Sequence, residues 1–551
     1  MGLGAHLFAT ALFALTGACS FIVDGDAFRY DGSIVERDAG DPNRDSGAPD
    51  AGDVDGGQLD GGDRDGGVID GGDRDAGDRD GGERDAGFER DSGIHRDAGP
   101  RDGGRDGGQI DGGVELLTVE PADLEEGMGT AVPVPIVISG AALPVNAVVT
   151  QVAAHPIDLG TPVVGADMIA IPVGVPVDAV WGQGDNDREV VLQVRDGANG
   201  PVFGVAHLTL TALDELTIST SGPEAASDLN GRYAEVVIPS GVELTVTGDQ
   251  NSPLDLTATG RMQIAGTIRI DGANGQASAG GCGAGGSNGN GGCGAQGGRS
   301  GGGGGGNATA GATGGAGNGG QATSGAWLFP LSSARGNGGG GGAFAVTAGS
   351  RGGGGGGVVA LTSLGALEIA GMTISVRGEA GVGGGCGVVD GGPGGGGSGG
   401  SILVRGRELV GATNFAFDVT GGAGGVAGGC PGNNGGAGAR GRTRLDIPVG
   451  NPQISIAPEE TNTHDRRGPA FLTTDVIFTG STVTVSMLAQ NGFDYPMSID
   501  TISPGSATPI NGTAQYTFNN VMPGLHTVCA AAPGGLGNDK GETCIDIAVV
   551  P

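Results

Sequence analysis

Seven cysteines carry the clearest chemical capacity in this chain. Cys19 stands alone near the start, Cys282, Cys293, Cys386 and Cys430 fall in a glycine-rich stretch, and Cys529 and Cys544 lie close to the end. An even six after an isolated first predicts disulfides formed in an oxidising compartment. The rival chemistry for the middle four is zinc. It asks for Cys-x-x-Cys or Cys/His pairs, and the spacings supply neither. Carboxylates cluster most closely at Asp185, Asp187 and Glu189, just ahead of a strand pattern. A D-x-D-x-E run can ligate calcium between sandwich strands or can be a solvated turn; the turn is the favoured reading. No other cofactor is implied.

Nucleophile motifs carry little meaning here. G-x-S-x-G occurs at Gly285–Gly289 and Gly396–Gly400, and G-x-G-x-x-G occurs many times. All fall where glycine is close to every second residue, without the strand–turn–helix setting that gives such motifs their chemistry. His6, His95, His155, His207, His464 and His526 are scattered, and no catalytic constellation is expected. Trp327 lies in an apolar island, Ala326-Trp-Leu-Phe-Pro-Leu331, where it reads as a plug under the glycine tracts. Arg269, Arg377 and Arg405, with Asp271 and Glu379, read as solvated residues at strand ends.

The elements that must position these residues are unevenly composed. The chain has 551 residues, 124 of them glycine, and a formal charge of −34. Residues 24–113 carry 26 Asp or Glu against 11 Arg, and Lys540 is the only lysine in the protein. Such a surface repels phosphate backbones and anionic headgroups, which argues against nucleic acid or polybasic membrane docking.

The first residues carry an address. Leu7–Leu15 is an apolar run of signal-peptide length, too short to span a bilayer. It leads into Leu15-Thr-Gly-Ala-Cys19-Ser20, which resembles the lipobox of bacterial lipoproteins. The usual leucine is displaced by one position, and the preceding MGLGAH lacks a basic residue. The resemblance implies that residues 1–18 are a signal peptide, that Cys19 is diacylated, and that Ser20 directs the protein to the outer membrane of a Gram-negative cell. A periplasmic or secreted protein with an ordinary signal is the alternative.

Residues 19–113 form one segment, which between Phe28 and Gly113 repeats Asp-x-Asp-Gly-Gly and Arg-Asp-Ala-Gly units. They hold too few apolar residues to offset ordering entropy, so a disordered acidic linker is expected, with a reach of roughly 50 Å. Asp78 and Asp80 offer two calcium ligands, but residue 82, where an EF-hand-type loop needs the next, is glycine.

Beyond the linker, period-two apolar patterning predicts an all-β, multidomain chain. Residues 114–213 read as about a hundred residues of short strands, the pattern of an immunoglobulin-like sandwich. Pro121, Ile138, Gly140 and Leu143 resemble the opening of IPT/TIG-type domains. Residues 214–447 hold a recurring unit: Met262-Gln-Ile-Ala-Gly-Thr-Ile-Arg-Ile270, Leu367-Glu-Ile-Ala-Gly-Met-Thr-Ile-Ser-Val376, and a looser copy from Leu409 to Val419. Stacking such units would form an irregular β-solenoid interrupted by glycine insertions. Those insertions are either flexible loops or extended three-per-turn helices packed backbone to backbone, and the second is preferred. In composition this region is similar to other secreted glycine-rich proteins, including the PGRS class. Residues 448–551 resemble an Ig-like or fibronectin-type-III-like module, with Cys529 and Cys544 on neighbouring strands.

Together these features predict a non-enzymatic, lipid-anchored cell-surface protein with a structural or adhesive role and an unknown envelope partner. The membrane would be met through the lipid anchor alone. The alternative is a secreted β-helix-type enzyme acting on polysaccharide.

Overall fold

The computed structural model describes residues 114–551 apart from 153–156, 178–187, 248–252, 273–299, 316, 323–326, 344–348, 386–389, 412–414, 430–432, 449–453 and 458–464. The expected signal segment, the linker and Cys19 lie outside the described residues. So do Asp185, Asp187, Cys282, Cys293, Cys386 and Cys430. Nearly every regular element is strand; among the described residues the one α-helix is Ala226–Leu229.

Residues 114–213 build two facing sheets. One joins Glu115–Leu116, Val202–Thr211, Arg188–Asp196 and Ala147–Gln151, with Asp123–Glu125 also on Val202–Thr211. The other joins Thr118–Glu120, Val134–Ser139, Met168–Gly174 and Asp158–Leu159. Alternation sets what is buried. Val190, Leu192 and Val194 point inward from one strand, Ala206, Leu208 and Leu210 from its neighbour, and Ile136, Ile138, Ile169 and Ile171 from across the gap.

From Glu215 the pairing becomes parallel. Seven strands form one sheet in chain order: Glu215–Thr217, Gly231–Ile238, Leu254–Ile264, Val358–Ile369, Ser401–Val410, Arg442–Asp446 and Asp465–Arg467. Six shorter strands, from Gly222–Ala225 to Ile454–Ala457, form a second sheet, and the chain alternates between the two. The recurring sequence unit stacks on itself. Met262, Leu367 and Leu409 occupy one register line, and Ile268, Ile374 and Phe417 another. Their side chains meet in one core between the sheets. Parallel pairing continues to Arg467, past the boundary at residue 447 expected from sequence. The last strands are short and set among prolines and charges, which hides their pattern.

The described parts of the glycine insertions between these strands are packed, not slack. The segment 393–400 shows how. Its amides donate in three directions in turn: Gly394, Gly397 and Gly400 to the carbonyls of Val382, Glu379 and Val376; Gly395 and Ser398 to Gly340 and Asn337; Gly396 and Gly399 to Gly436 and Ala439. Its carbonyls accept with the same period from Gly353 and Gly356, from Gly422 and Gly425, and from Gly302 and Gly305. A three-residue period with six neighbouring segments is a lattice of extended three-per-turn helices, and the hydrogen bonds of this segment run to its neighbours. Many positions inside it admit only glycine. A methyl group on Gly400 would overlap the Gly357 carbonyl, and one on Gly342 would overlap that of Gly392.

The final module pairs Ala470–Phe471, Thr482–Leu488 and Thr513–Asn519 in one sheet. Ile477–Thr479, Glu542–Val550, Gly524–Ala531, Tyr495–Ile499 and Ile502–Ala507 form the other. Its last strand returns to the first module, where Ala548 and Val550 pack on Val137, Met168 and Ala170. The two end modules therefore touch each other as well as the parallel sheets.

Candidate functional site

The densest chemistry lies on the outward face of the seven-stranded sheet. Register places Asp255, Ala360, Leu403, Arg444 and Arg466 along one line across five strands, and Thr257, Thr362, Arg405 and Asp446 along the next. Two other segments cover this face. Leu328, Leu331 and Ala334 lie on Val358, Ala360 and Leu403. The loop between Gly524–Ala531 and Glu542–Val550 brings down Asp539 and Lys540. Cys529 and Cys544, bonded at the base of that loop, tie its two strands together.

Arg444 and Asp446 are wholly buried and form a two-pronged pair, with Nε–Oδ1 at 2.9 Å and Nη2–Oδ2 at 2.6 Å. The remaining Arg444 nitrogen, Nη1, donates to the carbonyls of Trp327 and Lys540, both at 2.8 Å. Arg405 adds Nη2 to Asp446 Oδ2 at 3.2 Å and donates to the carbonyls of Asp539 and Lys540. Burial pushes its guanidinium below the ordinary value, while Asp446 opposes the shift. From sequence Arg405 is expected to be a solvated strand-end residue. It is instead taken out of water because the loop at 532–541 closes over it. Lys540 Nζ reaches Asp255 Oδ1 at 2.9 Å and lies 3.9 Å from Asp539 Oδ2.

Trp327 is buried, but not under the glycine lattice. Its ring enters the core of the final module, edge-on to Phe493 at 5.1 Å and to Tyr495 at 6.0 Å, with the Arg466 guanidinium 5.7 Å from its centroid. Glycine segments offer a ring no apolar surface, whereas the sandwich does.

The other residues singled out from sequence are spoken for. Glu189 lies 2.6 Å from His207 Nδ1 on the neighbouring strand, and its two companion aspartates lie outside the described residues. Ser398, inside a G-x-S-x-G match, is buried in the lattice, where its hydroxyl accepts the Asn337 amide at 2.7 Å. Arg269 pairs with Glu243 and Asp271, and Arg377 with Asp271 and Asp418, giving a ladder of alternating charge across successive strands. Glu379 pairs with Arg351. Among the described residues one group of potential metal ligands comes together, Cys529, Glu542 and Cys544, and its sulfurs are bonded to each other. No described helix is long and apolar enough to cross a membrane.

At the far end of the lattice, chain stems converge. Ser300 bonds Ala343, Ala343 bonds Gly392, and Gly392 bonds Ser350, while Gly384 lies between Val426 and Gly428. These residues flank the segments that contain Cys282, Cys293, Cys386 and Cys430. The cysteines themselves lie outside the described residues.

No family model, curated protein or solved structure matches this chain.

The cluster's geometry joins three parts of the chain. Its guanidinium donors face carboxylates and backbone carbonyls of the protein itself. Asp255, Arg444, Asp446 and Lys540 are not marked as a set by the sequence. The one available signal was the single lysine in a chain otherwise supplied with arginine.

Proposed function

We propose that this protein is a non-enzymatic, lipid-anchored surface protein that holds a rigid body at the cell envelope for a structural or adhesive role. In this reading the two end modules are Ig-like sandwiches, the parallel sheets between them are an irregular β-solenoid, and residues 19–113 are the tether. Two facing sheets over one apolar core support the first assignment. Register-matched repeats that alternate between two parallel sheets support the second.

The observation that carries the functional reading is the glycine lattice. It supplies a stiff backbone body with few interior side chains, and it brings the stems of several connecting segments side by side at one end. That arrangement suits presentation of short segments to a partner better than it suits catalysis, which needs a water-excluding pocket with converging polar groups. The resemblance of Leu15–Ser20 to a lipobox supports the anchor.

Detergent phase partitioning of the native protein beside Cys19→Ser tests this reading, with protease shaving of intact cells. The native protein should enter the detergent phase and be cut from outside, and the variant should stay aqueous. A native protein that remains aqueous would remove the anchor. Turnover of an acidic or neutral glycan by the purified protein would overturn the non-enzymatic assignment.

A further inference from the structure

Lys540 stands apart among the cations of this protein. The 28 Lys and Arg residues contain one lysine, and it is buried. An ion pair is served at least as well by arginine, whose guanidinium offers more donors in a fixed plane. What lysine alone supplies is an amine that becomes a nucleophile when it gives up a proton. Here that amine lies 2.9 Å from a carboxylate oxygen of Asp255, a residue 285 positions earlier on another module. A second carboxylate, Asp539, is 3.9 Å from the same nitrogen. The Lys540 side chain is 9% exposed and that of Asp255 19%, so bulk water has little access to the contact.

Both ends of the lysine are held. Its amide donates to Asn538 Oδ1 and Asp539 Oδ1, and its carbonyl accepts from Arg444 and Arg405. The disulfide anchors the two strands that carry the loop. Fixed partners of this kind react with effective concentrations of about 10⁵–10⁸ M, which offsets the poor electrophilicity of a carboxyl group.

We propose that Lys540 and Asp255 become joined by an isopeptide bond once the chain has folded. Asp539 takes a proton from the ammonium group, and the freed amine attacks Cγ of Asp255. The new bond is Nζ–Cγ, and the bond that breaks joins Cγ to one carboxylate oxygen. That oxygen leaves as water with two of the three ammonium protons, one of them relayed by Asp539. The third proton stays on the amide nitrogen, and Asp539 ends as the carboxylate it began. An ammonium and a carboxylate become an amide and water, with no oxidant, reductant or co-reactant. The product ties the final module covalently to the third strand of the parallel sheet.

Peptide mapping by mass spectrometry decides the matter, on the full chain exported to an oxidising compartment and digested at aromatic residues. The expected product is a branched peptide containing both Asp255 and Lys540, lighter by one water than its two linear parts. Linear peptides whose Lys540 amine reacts with an acylating reagent after denaturation would overturn the proposal and leave an ion pair. Lys540→Arg preserves the positive charge and should give only linear peptides. Asp539→Asn preserves the 2.9 Å contact and should lower the branched yield at least tenfold at a fixed time after refolding. An unchanged yield in D539N would overturn the relay assigned to Asp539.

Discussion

The indole of Trp327 stands edge-on to the ring of Phe493, 5.1 Å between centroids and 85° between planes, although Trp327 belongs to an insertion between parallel strands and Phe493 to the final module. The backbone of the same tryptophan accepts from buried Arg444. One residue therefore fills the sandwich core and ties it to the charged face of the sheet. Trp327→Ala should cost about 3–5 kcal/mol, the usual price of emptying a large aromatic site. The loss should be local. Limited proteolysis should cut within residues 468–551 while the parallel sheets stay intact.

Gly400→Ala places a methyl group on the carbonyl of Gly357, where only backbone could yield. Overpacking in a side-chain core costs about 1–3 kcal/mol, and a lattice without rotamers to adjust should reach the upper end. Gly222 has open space at its Cβ position, so Gly222→Ala should leave stability within about 0.5 kcal/mol of native. Denaturation midpoints of the two variants give the comparison. Similar midpoints would contradict the lattice.

Removing one member of the buried charge cluster should be worse than removing all three. Asp446→Ala leaves Arg444 without its two-pronged acceptor and should cost about 3–5 kcal/mol. Replacing Arg405, Arg444 and Asp446 together by Met, Met and Leu should recover most of that loss, as read from urea titrations.

His526 donates a pH dependence. Its hydrogen bond to Asp500 raises the imidazole above its ordinary value, against a desolvation that lowers it. Desolvation would raise Asp500, but bonds from His526 and the Thr527 amide outweigh it and hold that carboxyl low. The imidazole contribution is complete below its unfolded value of about 6.5 and fades as pH climbs through the raised folded value. The carboxylate contribution is complete above its unfolded value of about 3.9 and fades as pH falls through the lowered one. The melting-temperature difference between native protein and His526→Ala should therefore peak between about pH 4 and 6.5 and shrink on either side. A difference that grows towards pH 8 would contradict this assignment.

Much of the architecture could be read from patterning. The copies at Met262–Ile270 and Leu367–Val376 stack in register because each buries the same alternate positions. The charged cluster could not be read this way. Asp255, Arg444 and Lys540 become neighbours through strand order and a returning loop, across insertions whose length says nothing about which rows align. Trp327 was legible as buried but not as to where, since a ring seeks apolar surface and the nearest in sequence was not the nearest in space. The strands Ile454–Ala457 and Asp465–Arg467 are hard to read from sequence because each is only three or four residues long and its pairing partner defines it.

The glycine lattice has a calorimetric consequence. Its interior is peptide against peptide, so melting it uncovers polar backbone and almost no hydrocarbon. Apolar exposure raises heat capacity and polar exposure lowers it. This part of the molecule should therefore add little or nothing to the heat-capacity step of unfolding. Its stability would follow a nearly straight line with temperature, and cooling would leave it firm where an oil-like core begins to loosen.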